Sequence, residues 1–394
     1  MSTFSLGPFV RFSIFTLTIA ALSGATDVAA VPPPGQPASG PGGSDYPHAS
    51  VTVRSFGKGG DCCWMFLPAD PQPKSAPVVV FVHGWGGINP GTYGAWIRHL
   101  ARRGYIVIYP QYQDSMATRL PEMIPNAVTA TRKALELLSR EGPVKPAAGG
   151  IAYVAHSIGG YISANMAAMG GSDGLPPCKA ILVTAPANGS TTMHNEKRLM
   201  KLEHLDRIPA DALMVAAFAE NDRLAKDVGS RDILAGATHV SPANKTLVMV
   251  QTDDHTDPAL TADHFSPCAP DPSLVPGNLE KEALAVEDGP ESAPAEETKG
   301  RGRGEGRGGR FRERIRERVA EKRGGAGKVP GESERAVTNT LDYYGYWKLG
   351  DGMLDAAFHG KNREYAFGRG KELTNMGTCS DGSPVKPLIV KTLQ

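Results

Sequence analysis

Across 394 residues the charged side chains nearly cancel, 42 Lys and Arg against 41 Asp and Glu, for a formal net charge of +1. That balance excludes an electrostatic case for a polyanionic partner of the whole chain. Cysteines stand at 62, 63, 178, 268 and 379, none in a Cys-x-x-Cys pair, so the sequence offers no zinc site and no metal or cofactor is expected.

At the N-terminus Arg11 precedes an apolar run from Phe12 to Leu22, and small residues follow at Val28 to Ala30. This is the pattern of a secretory signal peptide over residues 1–30, too short to span a bilayer; an uncleaved anchor is the other reading. The mature chain is therefore expected to be secreted or periplasmic, and no later stretch is apolar for long enough to cross a membrane. Removing the leader leaves roughly 360 residues, room for one large α/β domain with ornament. In an exported chain the odd cysteine count predicts at least one disulfide and one leftover thiol. Residues 31–48, rich in Pro and Gly, read as a linker that buries no core.

The folded part is expected to begin near Ser50, with an antiparallel opening of Val51 to Phe56 and Cys63 to Leu67. Pro77 to His83 is a continuous apolar run, as a strand buried on both faces requires. It ends in His83-Gly-Trp-Gly-Gly87, whose glycines let backbone N–H groups approach a substrate oxygen. Trp85 or Gly86 is the candidate oxyanion donor there, and the sequence does not choose between them. Helical spacing follows over Tyr93 to Arg102, a strand over Tyr105 to Pro110, and a helix over Ala127 to Arg140.

Ile151 to Ala155 then reads as a buried strand, Ser157 as a tight corner, and a helix begins near Ile158. In this setting a small-x-Ser-x-Gly run makes a nucleophile elbow, with Ala155 and Gly159 as the required small residues and the Ile158 N–H aimed at an oxyanion. A Gly-rich turn with an incidental serine is the alternative. Further strands are expected at Cys178 to Thr184, Ala212 to Phe218 and Thr246 to Val250. Strands alternating with helices imply a mostly parallel sheet covered on both faces, with its site at the carboxyl ends of the strands. The interval from Thr184 to Ile208 has room for only a small lid, which predicts an open site.

A serine nucleophile needs a base and an orienting acid, in the chain order Ser, acid, His. Asp222, in the polar turn after Phe218, has the position for the acid; Glu220 is the runner-up and Asp206 comes too early. Past the last strand stand His255 and His264, and spacing alone does not select the base. A cation site built from Asp253, Asp254, Asp257 and Asp263 with these histidines matches no EF-hand spacing.

From His83 to Gln111 the chain resembles the chlorophyllase-like α/β-hydrolases and the related platelet-activating-factor acetylhydrolase and bacterial cutinase (polyester hydrolase) group. Ala155-His-Ser-Ile-Gly-Gly160 is similar to that group's Gly-His-Ser-x-Gly-Gly, with Ala155 in place of Gly. Asp263-His-Phe-Ser-Pro267 is similar to the His-Phe-x-Pro run around the cutinase histidine. The resemblance covers about 50–268 and 336–394. It implies an α/β-hydrolase fold, His264 as base with His255 as alternative, and a Cys268–Cys379 disulfide. The long interval between His255 and His264 departs from the group's pattern.

Residues 269–335 change composition, first Glu-, Pro- and Ala-rich, then Arg/Gly-rich, then a charged Arg/Glu segment from Phe311. By composition this is a disordered insertion. Arg/Gly repeats can bind RNA by cations and stacking, but the segment holds one aromatic, Phe311, so no nucleic-acid partner is expected. Ala336 to Phe358 has helix-like apolar spacing, with Tyr343, Tyr344, Tyr346 and Trp347 read as packing. Pro387 to Val390 reads as an edge strand.

The resulting expectation is an exported monomeric serine esterase acting on a small or polymeric ester. The alternatives are a non-catalytic exported binding protein that uses the Arg/Gly-rich insertion on acidic surfaces, or a peptidase or dienelactone-type hydrolase on the same fold. Ser rather than Cys at position 157 disfavours the last.

Overall fold

The computed structural model describes residues 30–57, 60, 62–172, 174–189, 199–274, 284–285 and 336–393. The expected signal-peptide segment, apart from Ala30, and most of the expected insertion lie outside them. Ten strands form one sheet: β1 (Ser50–Phe56), β2 (Cys63–Ala69), β3 (Ser75–Val82), β4 (Ile106–Pro110), β5 (Lys145–His156), β6 (Cys178–Thr184), β7 (Leu213–Ala219), β8 (Lys245–Val250), β9 (Leu284–Ala285) and β10 (Ile389–Lys391). Their order is β10-β8-β7-β6-β5-β3-β4-β2-β1-β9. The six strands from β4 to β8 run parallel, whereas β2 joins β4, β1 joins β2 and β10 joins β8 antiparallel. Strands β3, β6 and β7 are apolar on both faces because both faces are covered, as a parallel sheet demands.

One layer holds α1 (Gly94–Arg102) and α5 (Lys348–His359), which place Trp96, Ile97, Leu349 and Leu354 against the sheet. The other holds α2 (Leu120–Glu141), α3 (Ile158–Ala168) and α4 (Val228–Gly236), with Met123, Ile162 and Ile233 in the core. Helix α2 starts seven residues before the expected Ala127. Its first turns carry Pro121 and Pro125, which mask the apolar period. Pro121, in the first turn, removes a donor that has no partner anyway, Pro125 lies inside the helix, and Glu122 accepts the Arg119 amide at 3.2 Å. The segment expected to be helical from Ala336 opens as a π-helical turn, Leu341–Trp347, and runs straight into α5. A four-residue helix, α6 (Lys371–Thr374), precedes the terminal edge strand β10. Among the described residues no helix is long and apolar enough to cross a membrane.

Residues 31–48 are not a linker. Gly42 and Gly43 are buried, and a Cβ on Gly42 would lie 2.0 Å from the Tyr343 carbonyl oxygen. The Gly42 amide donates to Asp351 Oδ2 at 2.7 Å, Thr340 Oγ1 to the Pro34 carbonyl at 2.6 Å, and the Asp257 amide to the Val31 carbonyl at 2.9 Å. The glycines that read as flexible chain serve close backbone approach, so this segment is a packed strap. The other boundary moves as well. Residues 269–274 belong to the core: the Ala95 amide donates to the Ala269 carbonyl, the Asp271 amide to Gly91, and Leu274 is fully buried.

Candidate active site

Strand β5 ends at His156 and α3 begins at Ile158, so a single residue turns the chain. Ser157 does so at φ 54° and ψ −125°, a conformation that costs a non-glycine residue ~1–3 kcal/mol. The fold holds it there: its amide donates to the Thr184 carbonyl at 3.0 Å, and its own carbonyl accepts from Gly160 at 2.9 Å. Behind the corner α3 passes against the end of β3. A Cβ on Gly159 would lie 2.2 Å from the Val82 oxygen, and one on Gly160 would lie 2.6 Å from Pro186 Cβ.

The structure brings Asp222, His264 and Ser157 together. His264 Nδ1 is 2.9 Å from Asp222 Oδ2, and His264 Nε2 is 3.0 Å from Ser157 Oγ. All three are buried, with Ser157 9 % and His264 7 % exposed. Burial alone would push the Asp222 pKa up. The hydrogen bond and charge of His264, with amide donors from Ala225 at 2.9 Å and Leu224 at 2.8 Å, outweigh it and leave the carboxyl below its usual value. An ionised Asp222 only accepts, so it fixes a proton on His264 Nδ1 and leaves Nε2 as acceptor for the Ser157 hydroxyl.

The remaining candidates lie elsewhere. His255 is exposed, and its Nε2 meets Ser383 Oγ at 2.8 Å and Asp381 Oδ2 at 3.4 Å. Glu220 accepts the Thr252 amide at the surface, and Asp206 sits in a short 3-10 turn, Leu205–Arg207. Three of the four acidic residues weighed for a cation site are engaged within the protein: Asp253 accepts the Lys386 amide, Asp254 the Lys386 ammonium, and Asp263 the Phe265 amide. Ligand atoms of His255, Cys379 and Asp381 lie within 4.8 Å of one another. Ser383 Oγ sits among them, bonded to both His255 and Asp381.

The turn after β3 is gripped by tyrosines that the sequence reading did not single out. Tyr112 Oη donates to the His83 carbonyl at 2.6 Å, Tyr109 Oη to the Gly87 carbonyl, and the Gly84 amide donates to Tyr93 Oη at 2.9 Å. His83 stacks on Tyr112 with ring centroids 4.0 Å apart. Of the two candidate donors, Gly86 spends its amide on Gln113 Oε1 at 3.0 Å, which leaves Trp85. The sequence signal for two of the three, Tyr109 and Tyr112, is the polar aromatic run Tyr109-Pro-Gln-Tyr112 at the end of a buried strand.

The Cys268–Cys379 disulfide is not formed. Cys268 lies beside Tyr93 and Tyr109, and Cys379 beside Ser383, Asp253 and Asp381.

A family model described as an alpha/beta hydrolase fold matches residues 79–259, from within β3 to the loop beyond β8. No curated protein matches the chain. With a mostly parallel sheet, a strand–Ser–helix corner at its centre and helices on both faces, this chain has the α/β-hydrolase fold.

Proposed function

We propose that this hydrolase-fold chain is an exported serine hydrolase of carboxylic esters that works through an acyl-enzyme. The observation that carries the reading is the unbroken run Asp222 Oδ2, His264 Nδ1, His264 Nε2, Ser157 Oγ, with hydrogen bonds of 2.9 and 3.0 Å. Ser157 Oγ attacks the ester carbonyl while His264 Nε2 takes its proton. Asp222 holds the imidazole in the required tautomer and stabilises the imidazolium that forms. The oxyanion is received by the amides of Ile158 and Trp85, each worth ~3 kcal/mol in the transition state. Collapse of the intermediate breaks the C–O bond, and His264 gives its proton to the leaving alcohol. Water then repeats the sequence on the acyl-enzyme, releasing the acid and restoring Ser157. The elbow and the Asp263 to Pro267 run support a chlorophyllase-like or cutinase-like activity on a small or polymeric ester. Export rests on the leader pattern of residues 1–30.

The test is hydrolysis of p-nitrophenyl butyrate by the chain from Val31, beside Ser157→Ala, His264→Ala and His255→Ala. Turnover should fall by on the order of 10⁶-fold in the first two and stay near parental in the third. A folded parent with no turnover and no labelling by a fluorophosphonate refutes the reading.

A further inference from the structure

The side chain of His156, the residue before the serine, has both ring nitrogens engaged. Its Nε2 lies 2.8 Å from the backbone carbonyl oxygen of His264, and its Nδ1 lies 2.8 Å from Tyr93 Oη. A carbonyl only accepts, so His156 carries its proton on Nε2 and Nδ1 must accept. Tyr93 therefore donates its hydroxyl proton to Nδ1, and its oxygen takes the Gly84 amide at 2.9 Å. One directed chain thus runs from Gly84, through Tyr93 and His156, to the carbonyl of His264. Tyr93 and His156 are 2 % and 3 % exposed, so water does not compete for these bonds.

The chain has a single consistent protonation pattern. A second proton on His156 would face the Tyr93 oxygen and leave the tyrosine hydroxyl without an acceptor. It would also place a cation 5.0 Å, centroid to centroid, from the His264 ring. Burial first, and the neighbouring His264 second, push the His156 pKa down to about 3. The ring stays neutral while His264 cycles its charge.

We propose that His156 is a positioning residue for the ester hydrolysis inferred above: it pins the backbone of His264 and couples it, through Tyr93, to the loop that bears the oxyanion donor. The segments that carry acceptor and donor are far apart in sequence, 108 residues between His156 and His264 and 63 between Tyr93 and His156. Among the described residues, His156 is the elbow side chain that bonds the backbone of His264. Because a misplacement of ~1 Å at a reacting group costs about 10²-fold in rate, a tether at this carbonyl acts on kcat.

The proposal rests on the hydrolase reading, and the experiment separates the two. His156→Gln keeps an N–H for the His264 carbonyl and an oxygen for Tyr93, whereas His156→Phe keeps ring volume and loses both bonds. With p-nitrophenyl butyrate, His156→Phe is expected to lose about 10²-fold in kcat with KM little changed, and fluorophosphonate labelling of Ser157 to slow in parallel. His156→Gln should recover most of that loss, and Tyr93→Phe should lose roughly tenfold in kcat by cutting the upstream link. Circular dichroism and thermal unfolding check that each variant is folded. A folded His156→Phe with parental kcat, or a His156→Gln no better than it, overturns the proposal. Should His156→Phe not fold, a Tyr93→Phe with parental kcat overturns it. A folded parent that neither turns over ester nor labels removes the hydrolase reading and this proposal together.

Discussion

Gly159 passes so close to Val82 that a Cβ on it would lie 2.2 Å from the Val82 carbonyl oxygen and 2.4 Å from that of His83. Both obstacles are backbone atoms of a central strand end, which cannot step aside as a flexible side chain does. The strain at Ser157 and the nearness of α3 to β3 are two results of the same corner. Gly159→Ala should therefore cost at least about 3 kcal/mol, at the upper end of overpacking. Urea unfolding followed by circular dichroism measures it, and a loss under about 1 kcal/mol would show that the corner relaxes easily.

Asp222 spends one carboxylate oxygen on His264 and the other on two amides, so Asp222→Asn removes the charge with little change of shape. The amide side chain can donate toward His264 Nδ1 and favour the wrong tautomer. A loss of kcat on the order of 10⁴-fold is expected, with the unfolding midpoint changed far less. A loss under about tenfold would mean that Asp222 does not orient the base.

Two buried histidines make the fold acid-sensitive. Burial lowers the His83 pKa to about 4, and burial together with His264 lowers that of His156 to about 3. Both values lie below the ~6.5 of an unfolded chain, so between them the unfolded state binds more protons. Their contribution is complete above pH ~6.5 and is lost as pH falls toward 4 and then 3, with a slope of up to ~1.4 kcal/mol per pH unit for each. Asp222, its pKa lowered, remains ionised through the upper part of this window and adds little to the slope there. Urea midpoints measured from pH 7 to pH 4.5 should fall steadily, and His83→Phe, which keeps the stack on Tyr112, should flatten the fall. An unchanged slope in that variant would exclude His83 as a source.

What the sequence made legible follows from the range of each constraint. The corner at Ser157 is encoded within ten residues by a strand, small neighbours and a helix start, and Asp222 follows from the loop after β7. Choosing between His255 and His264 needs the path of a loop. An antiparallel bridge between Asp253 and Leu260 turns the chain back so that His264 meets Ser157 and His255 faces out toward Ser383. Spacing carries no such information, and only the likeness of Asp263 to Pro267 to a known run pointed there. The same holds for Cys268, whose neighbours Tyr93 and Tyr109 come from the short turn before α1 and from β4. Composition also misled at residues 31–48, because Pro and Gly counts do not separate loose chain from close approach.

That strap yields the last prediction. Asp351 is fully buried in α5. Burial pushes its pKa up, but His99 at 2.9 Å, Arg103 and the Gly42 amide hold the carboxyl below its usual value. Tyr46 of the strap meets His99 Nδ1 at 3.0 Å, and Asp45 pairs with Arg103 at 2.9 Å. Starting the chain at Ala49 instead of Val31 strips three partners from this buried charged group at once. Losing a hydrogen-bond partner costs a buried charged group ~1–3 kcal/mol, and a loss of at least that size is expected between the two chains. Asp351→Ala in the chain from Val31 breaks the buried pair itself, leaving His99, Arg103 and the Gly42 amide without the carboxylate, and should cost ~3–5 kcal/mol. The truncation and Asp351→Ala combined should then cost less than the sum of the two, because both remove the Gly42–Asp351 hydrogen bond. Additive losses in that cycle, or equal unfolding midpoints for the two starting points, would mean that the strap rests on the fold without supporting it.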